Sequence, residues 1–224
     1  MPGFDTNFEP IYVALTTLLQ ASCQIPFTAT ATLGSPVLTG LADTSVFSAG
    51  LALLGDAAPQ GDFVRSIDSP TQITMELPSL LSGVVNLKAG MVDMTIPAMR
   101  NLQHWGDVLQ SAQPAVFVTG TGETQLNKRI GQPGQWIIDT LVWVYVMSPD
   151  TNTPSAPALS SMLTLTRNAM SRDKSGPGSV QNRQTLGGLV LDTWIEGKIT
   201  TDNGFLGQQA VAKVPIRMIQ NGPI

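Results

Sequence analysis

His104 and Cys23 are the only histidine and cysteine in this 224-residue chain. They are therefore the only side chains whose ordinary pKa values lie near neutrality. Nucleophilic catalysis would need one of them, or a serine, hydrogen-bonded to a base that a third group orients. His104 stands between Gln103 and Trp105, and the chain contains no Gly-x-Ser-x-Gly elbow. A surface or interface histidine beside a packed tryptophan is the plainer reading. Gly120-Thr121-Gly122 follows an apolar run and could open a phosphate loop. It lacks a third glycine in register, no Gly-Lys-Ser/Thr follows, and Glu123 would repel an anion. It reads as a turn.

Asp192 and Glu196, four residues apart on a candidate strand, would share a face and could serve as an acid and base pair. Lys198 lies beside them, and a solvated or ion-paired sheet face is favoured. Lys128-Arg129 and the group Arg167, Arg172, Lys174 and Arg183 are the basic concentrations. With no aromatic residues interleaved for base stacking, they read as subunit contacts or solubilising charge. One cysteine excludes an internal disulfide and any cysteine-rich metal site. No Asp/Glu cluster has ligand spacing, so no metal and no cofactor is expected. No residue takes a catalytic, cofactor-binding or metal-ligating assignment, and the expectation is a protein that is not an enzyme.

The elements that would position these residues fall into two groups. Glu9 and Pro10 suit the first turn of a helix, with Asp5, Thr6 and Asn7 as candidate N-caps. Ile11, Leu15, Leu18 and Leu19 then form one apolar stripe, and the helix should end near Ser22. From 25 to 89 the pattern changes to short alternating runs separated by Gly, Pro, Asp and Ser. These runs are Phe27–Leu33, Val37–Thr39, Phe63–Ile67, Gln72–Met75 and Val84–Leu87. They predict a small all-β module, sandwich-like or a barrel.

After a methionine-rich join (Met91, Met94, Met99), Arg100–Ser111 reads as a short helix or turn. Ala115–Val118 reads as a brief strand ended by Gly120 and Gly122, with Thr124–Ile130 a second one. Gly131–Gly134 is a turn, and Trp136–Met147 is a strand apolar on both faces, as for a central strand covered on each side. Ser148–Pro157 reads as a loop, Ala158–Met170 as an amphipathic helix, and Asp173–Arg183 as a loop. Gly188–Thr200 and Ala210–Ile219 read as two long strands, with Asp202-Asn203-Gly204 between them as a hairpin turn. The predicted fold class is α+β. Residues 1–24 and 90–224 form a mixed, largely antiparallel sheet flanked by helices, and 25–89 is an inserted module.

Composition narrows the function. Hydrophobic residues are 42% of the chain and charged residues only 12%, about half the usual share. Surface so poor in charge suits packing against other subunits. Residues 1–90 hold two bases and seven acids, and 91–224 hold ten bases and nine acids, giving −5 and +1 and a total of −4. That balance argues against broad nucleic-acid binding. Ile11–Leu19 is too short to span a bilayer and has no basic leader before it, so a soluble protein made in the cytoplasm is expected, with no membrane partner. Leu19–Cys23 has a faint likeness to a lipoprotein cleavage site, but it lacks that leader too.

The stretch Leu186-Gly187-Gly188-Leu189 to Ile195-Glu196-Gly197-Lys198-Ile199, followed by Asp202-Asn203-Gly204 and Val214-Pro215-Ile216, resembles the tail terminator and tail-completion (neck) proteins of tailed phages. Gln113–Val118, the preceding Arg100–Trp105 and the helix at 8–22 are similar to earlier segments of that family. Residues 25–89 look instead like a β module inserted in other phage virion proteins, carried by Gly34–Gly40 and Ser66–Thr74. The resemblance implies a virion structural protein assembled in the host cytoplasm. It would be a homo-oligomeric ring, commonly a hexamer, that ends the tail tube or joins it to the head connector or adaptor. Genomic DNA would pass through such a ring without specific binding. The alternative is an adaptor or decoration protein whose β insertion binds the host surface or stabilises the particle.

Overall fold

The structure, a computed structural model, describes residues 8–92, 112–126, 134–148, 155–171, 184–202 and 209–221. The first helix, α1 (Glu9–Ser22), carries Glu9 and Pro10 in its first turn and buries Ile11, Leu15 and Leu19. Leu18 is half-buried against the same core. The residue before the helix is Phe8, whose side chain makes no capping hydrogen bond. Asp5, Thr6 and Asn7 lie outside the described residues. The helix runs through Ile11–Leu19, and Cys23 follows it directly into the core, fully buried. No described helix is long and apolar enough to cross a membrane.

Six strands follow: β1 (Gln24–Ala31), β2 (Val37–Thr39), β3 (Ala52–Leu54), β4 (Val64–Ser69), β5 (Gln72–Met75) and β6 (Gly83–Gly90). They form one antiparallel sheet in the order β3-β6-β1-β2-β5-β4. Its two end strands also meet. Ala52 bridges Phe63, Leu53 N donates to Asp62 O at 2.9 Å and Val64 N donates to Leu51 O at 2.8 Å. The sheet thus closes into a barrel rather than stacking as two sandwich layers, although β3 pairs only with Lys88–Gly90 of β6 and Gly83–Leu87 have no strand partner on that side among the described residues. Alternation places Ala29, Ala31, Leu38, Ile73, Met75, Val85, Leu87 and Ala89 in its interior, all buried. The β4–β5 hairpin is tied by Asp68, whose carboxylate accepts from Ser66 Oγ at 2.7 Å and Thr74 Oγ1 at 2.6 Å. Those bonds hold its pKa below the usual carboxylate range.

The second sheet is also antiparallel at every described pairing: β7 (Ala115–Gln125), β8 (Gln135–Met147), β9 (Asp192–Ile195), β10 (Thr200–Asp202) and β11 (Gln209–Asn221). Its order is β10-β11-β8-β7, with β9 beside β10 on the same side of β11. Along β8, Ile138, Thr140, Val142, Val144 and Val146 are buried, and along β11 so are Ala210, Ala212, Val214, Ile216 and Met218. The helix α2 (Ala156–Met170) packs on this face against β8, β9 and β11, and α1 packs on α2. Pro157 sits in the first turn of α2, where its missing N–H goes unnoticed, so the helix begins inside the stretch expected to be loop. One continuous apolar cluster joins the barrel interior, both helices and this sheet face.

Three expectations change. The strand at Ala115 does not stop at Gly120 but runs on to Gln125, with a β-bulge between Gly120 and Gly122. Gly120 is needed for space, because a Cβ there would lie 2.4 Å from the Tyr12 hydroxyl oxygen of α1. The expected long strand 188–200 is broken. Leu186–Gly188 is a 3-10 turn, β9 ends at Ile195, and Gly197 at φ +97° adopts a conformation no strand residue uses. Finally, β8 is central, yet its second face is only partly covered by described residues: Ile137, Leu141 and Trp143 are half-buried.

Candidate functional site

Cys23 lies at the junction of α1 and β1, with Sγ 3.8 Å from Thr166 Oγ1 of α2. Burial pushes its thiol up to about 11, so it is a packed apolar side chain and not a nucleophile. His104 and its neighbour Trp105, Lys128-Arg129, Arg172, Lys174 and Arg183 lie outside the described residues, as do the turn residues Gly131–Pro133 and Asn203-Gly204 and the loop 173–183. Arg167 is described and exposed near the C-terminal end of α2. Gly120-Thr121-Gly122 is neither turn nor phosphate loop but the bulge of β7.

Glu196 and Asp192 do not form an acid–base pair. Arg217 on β11 reaches Glu196 Oε1 with Nη1 at 3.2 Å and Asp139 Oδ1 with Nε at 2.8 Å. Asp192 Oδ1 accepts from the backbone N–H of Thr193 at 2.9 Å. The charged face is thus ion-paired as the composition implies, with Arg217 as the cation in place of Lys198. The Arg217 guanidinium is held above its ordinary pKa, chiefly by its hydrogen bond to Asp139. Asp62 is a buried acid, with Oδ1 accepting from Phe63 N at 2.8 Å and Leu77 N at 3.0 Å. Burial raises its pKa. It fastens the β3–β4 connection to the segment after β5, a structural task. Among the described residues no group of three or more His, Cys, Asp or Glu could hold a metal ion.

The second sheet carries a small apolar cluster on the face away from α2: Ala115, Phe117 and Tyr145 are already buried, and the half-buried Trp143 and Val211 pack beside them. Phe117 meets Tyr145 edge-on at 5.5 Å, Trp143 stacks on Tyr145 at 6.3 Å, and Lys213 Nζ lies 4.2 Å from the Trp143 ring centre. Beyond them come Leu141 opposite Pro215, then the Asp139–Arg217–Glu196 network.

The two margins of this sheet differ. On one side, among the described residues, β7 is an edge of eleven residues, and its last six, Gly120–Gln125, are exposed. Among them only Glu123 is charged and none is Lys or Pro, so the devices that usually protect an edge are scarce. On the other side β9 and β10 are short and staggered. The long strand β11 is interior, between β8 and the β9/β10 side, a position that depends on pairings with residues far off in the chain. No family model and no curated protein matches this chain.

Proposed function

We propose that this chain is a structural subunit of a tailed-phage neck or tail, and that it works by associating with copies of itself into a ring that ends the tail tube or joins it to the head connector. The family resemblance supplies the phage setting. The observation that carries the ring is the inequality of the two margins of the second sheet: a long, scarcely guarded β7 and a short, broken β9/β10 side. Unlike edges favour head-to-tail contacts, which form a ring where the rotation between copies closes and a filament where it does not. The half-buried Ile137, Leu141, Trp143 and Val211 on the outer face of that sheet would add burial without a large desolvation cost. The net charge of −4 suits a channel that does not retain passing DNA.

Negative-stain microscopy and mass photometry of the purified protein, alone and with tail tube or connector protein, test the reading. Closed rings are expected, and Thr121→Lys with Thr124→Lys on the β7 edge should abolish them while the chain stays folded by circular dichroism. Monomers under all conditions, or density for the chain far from the tail axis in a map of the particle, would overturn it.

A second reading has an observation of its own. The end of the barrel remote from the second sheet exposes four large apolar side chains, as an adaptor or decoration module would need.

A further inference from the structure

Asp62 lies at the seam where β3 meets β4 and is sealed from water at 1% exposure. Its two oxygens are treated unequally. Oδ1 accepts from Phe63 N at 2.8 Å and from Leu77 N at 3.0 Å. Oδ2 is buried with no hydrogen-bond partner among the described residues. A carboxylate bears its charge on both oxygens, so two donors on one of them leave the other bare. The charged group acting on it is a second acid, Glu76, directly after β5. Arg65 on β4 is held 3.7 Å from Glu76, and β3 brings only Ala52, Leu53 and Leu54. Asp56, the other acid of the β3–β4 connection, is exposed. Burial raises the Asp62 pKa and Glu76 adds to that, against backbone N–H donors that lower it.

The Leu77 bond ties the connection at 55–62 to the loop at 76–82. The same two segments meet where Leu80 N donates to Ala57 O at 3.0 Å and Ser79 Oγ to the same oxygen at 3.2 Å. The loop is stitched in turn to the Leu33 turn, with Gly34 N donating to Ser79 O and Ser79 N to Ser35 O, both at 2.9 Å. Leu33, Leu80, Leu81 and Val84, at 65, 54, 44 and 76% exposure, form the apolar end of the barrel here. Whatever loosens the Asp62 contact therefore loosens that end.

We propose that Asp62 is a proton-operated latch: its protonated carboxyl holds the 55–62 connection against the 76–82 loop, and ionisation loosens that contact so that water reaches Oδ2. The latch does not depend on how copies associate. The folded carboxyl keeps its proton at pH values where the unfolded chain has lost it. Stability from this site is therefore complete below the ordinary carboxylate pKa and falls as pH rises through the raised folded one. Asp68 runs the other way, because its hydrogen bonds lower its pKa. The apolar end of the barrel thus tightens in acid and relaxes toward neutral pH.

Amide hydrogen exchange on the full chain, read by NMR and corrected for the chemical exchange rate, tests the latch. Protection of the Leu77 amide should fall at least about threefold between about pH 4 and about pH 8, relative to amides of β8. Asp62→Asn keeps an oxygen for both donors and cannot ionise, so it should hold that ratio constant. A carbon-13 titration of the Asp62 carboxyl, which needs no variant, should give a midpoint above the ordinary carboxylate range. Flat protection in the wild type, the same fall in Asp62→Asn, or a midpoint at or below that range would each overturn the proposal.

Discussion

Replacing Gly90 by alanine should be among the most damaging single-methyl changes in this protein. Gly90 ends β6 at φ +132°, and a Cβ there would lie 2.2 Å from the carbonyl oxygen of Cys23. That oxygen belongs to backbone and already accepts from Met91 N at 3.0 Å, so it cannot swing away. Two costs add. A side chain in this backbone region costs about 1–3 kcal/mol, and forcing a methyl into occupied space costs about 1–3 kcal/mol more. The total is roughly 2–6 kcal/mol, which for a chain of this size lowers the melting midpoint by roughly 4–24 °C. Gly83, at the other end of the same strand, is the control. It has φ +112°, but a Cβ there meets nothing within 4 Å. Gly83→Ala should therefore carry the backbone cost alone. Urea titrations and thermal melts of the two variants give the difference directly. Equal destabilisation, within about 0.5 kcal/mol, would refute the claimed clash and with it the close passage of β6 against the start of β1.

Cys23 should react with a thiol reagent at pH 8 only after denaturation. Its folded pKa is raised from 9.0 to about 11, so above pH 9 the unfolded chain holds fewer protons than the folded one. Stability supported by the protonated thiol is thus complete below pH 9 and lost as pH climbs through 11, by about 2–3 kcal/mol. A Cys23→Ala variant should show a flatter stability profile across that window by chemical denaturation. Arg217→Gln should move the melting midpoint by no more than about 2 °C, because its ion pairs with Asp139 and Glu196 are solvent-accessible. A double-mutant cycle with Asp139→Asn, run at low and high salt, should show a small coupling that salt screens.

Local pattern was enough for the long elements. The buried alternation of Ile138 to Val146 and of Ala210 to Met218, and the stripe Ile11–Leu15–Leu19 of α1, follow from periodicities of two and 3.6 that survive into the fold. What depended on distant partners was not visible. Ala52–Leu54 is too short to alternate, and its role in closing the barrel exists only through Phe63 and Lys88–Gly90. Gly120 and Gly122 read as punctuation because the reason for them, Tyr12 overhead and a bulge, lies on another element. Nothing local sets Leu33, Leu80, Leu81 and Val84 apart as exposed, since an apolar residue does not announce which side faces water. The ion-paired face around Glu196 was anticipated, but its cation, Arg217, stands 21 residues on.

The barrel receives and returns the chain at one place. Gln24 opens β1 directly opposite Gly90, which closes β6. Two neighbours across such a ladder stand only ~5 Å apart, a gap that two or three residues can span. The whole of 24–90 is thus plumbed like a cassette. It could be lengthened or exchanged through a short splice, provided the replacement still covers the apolar surface that the barrel shares with α1 and α2.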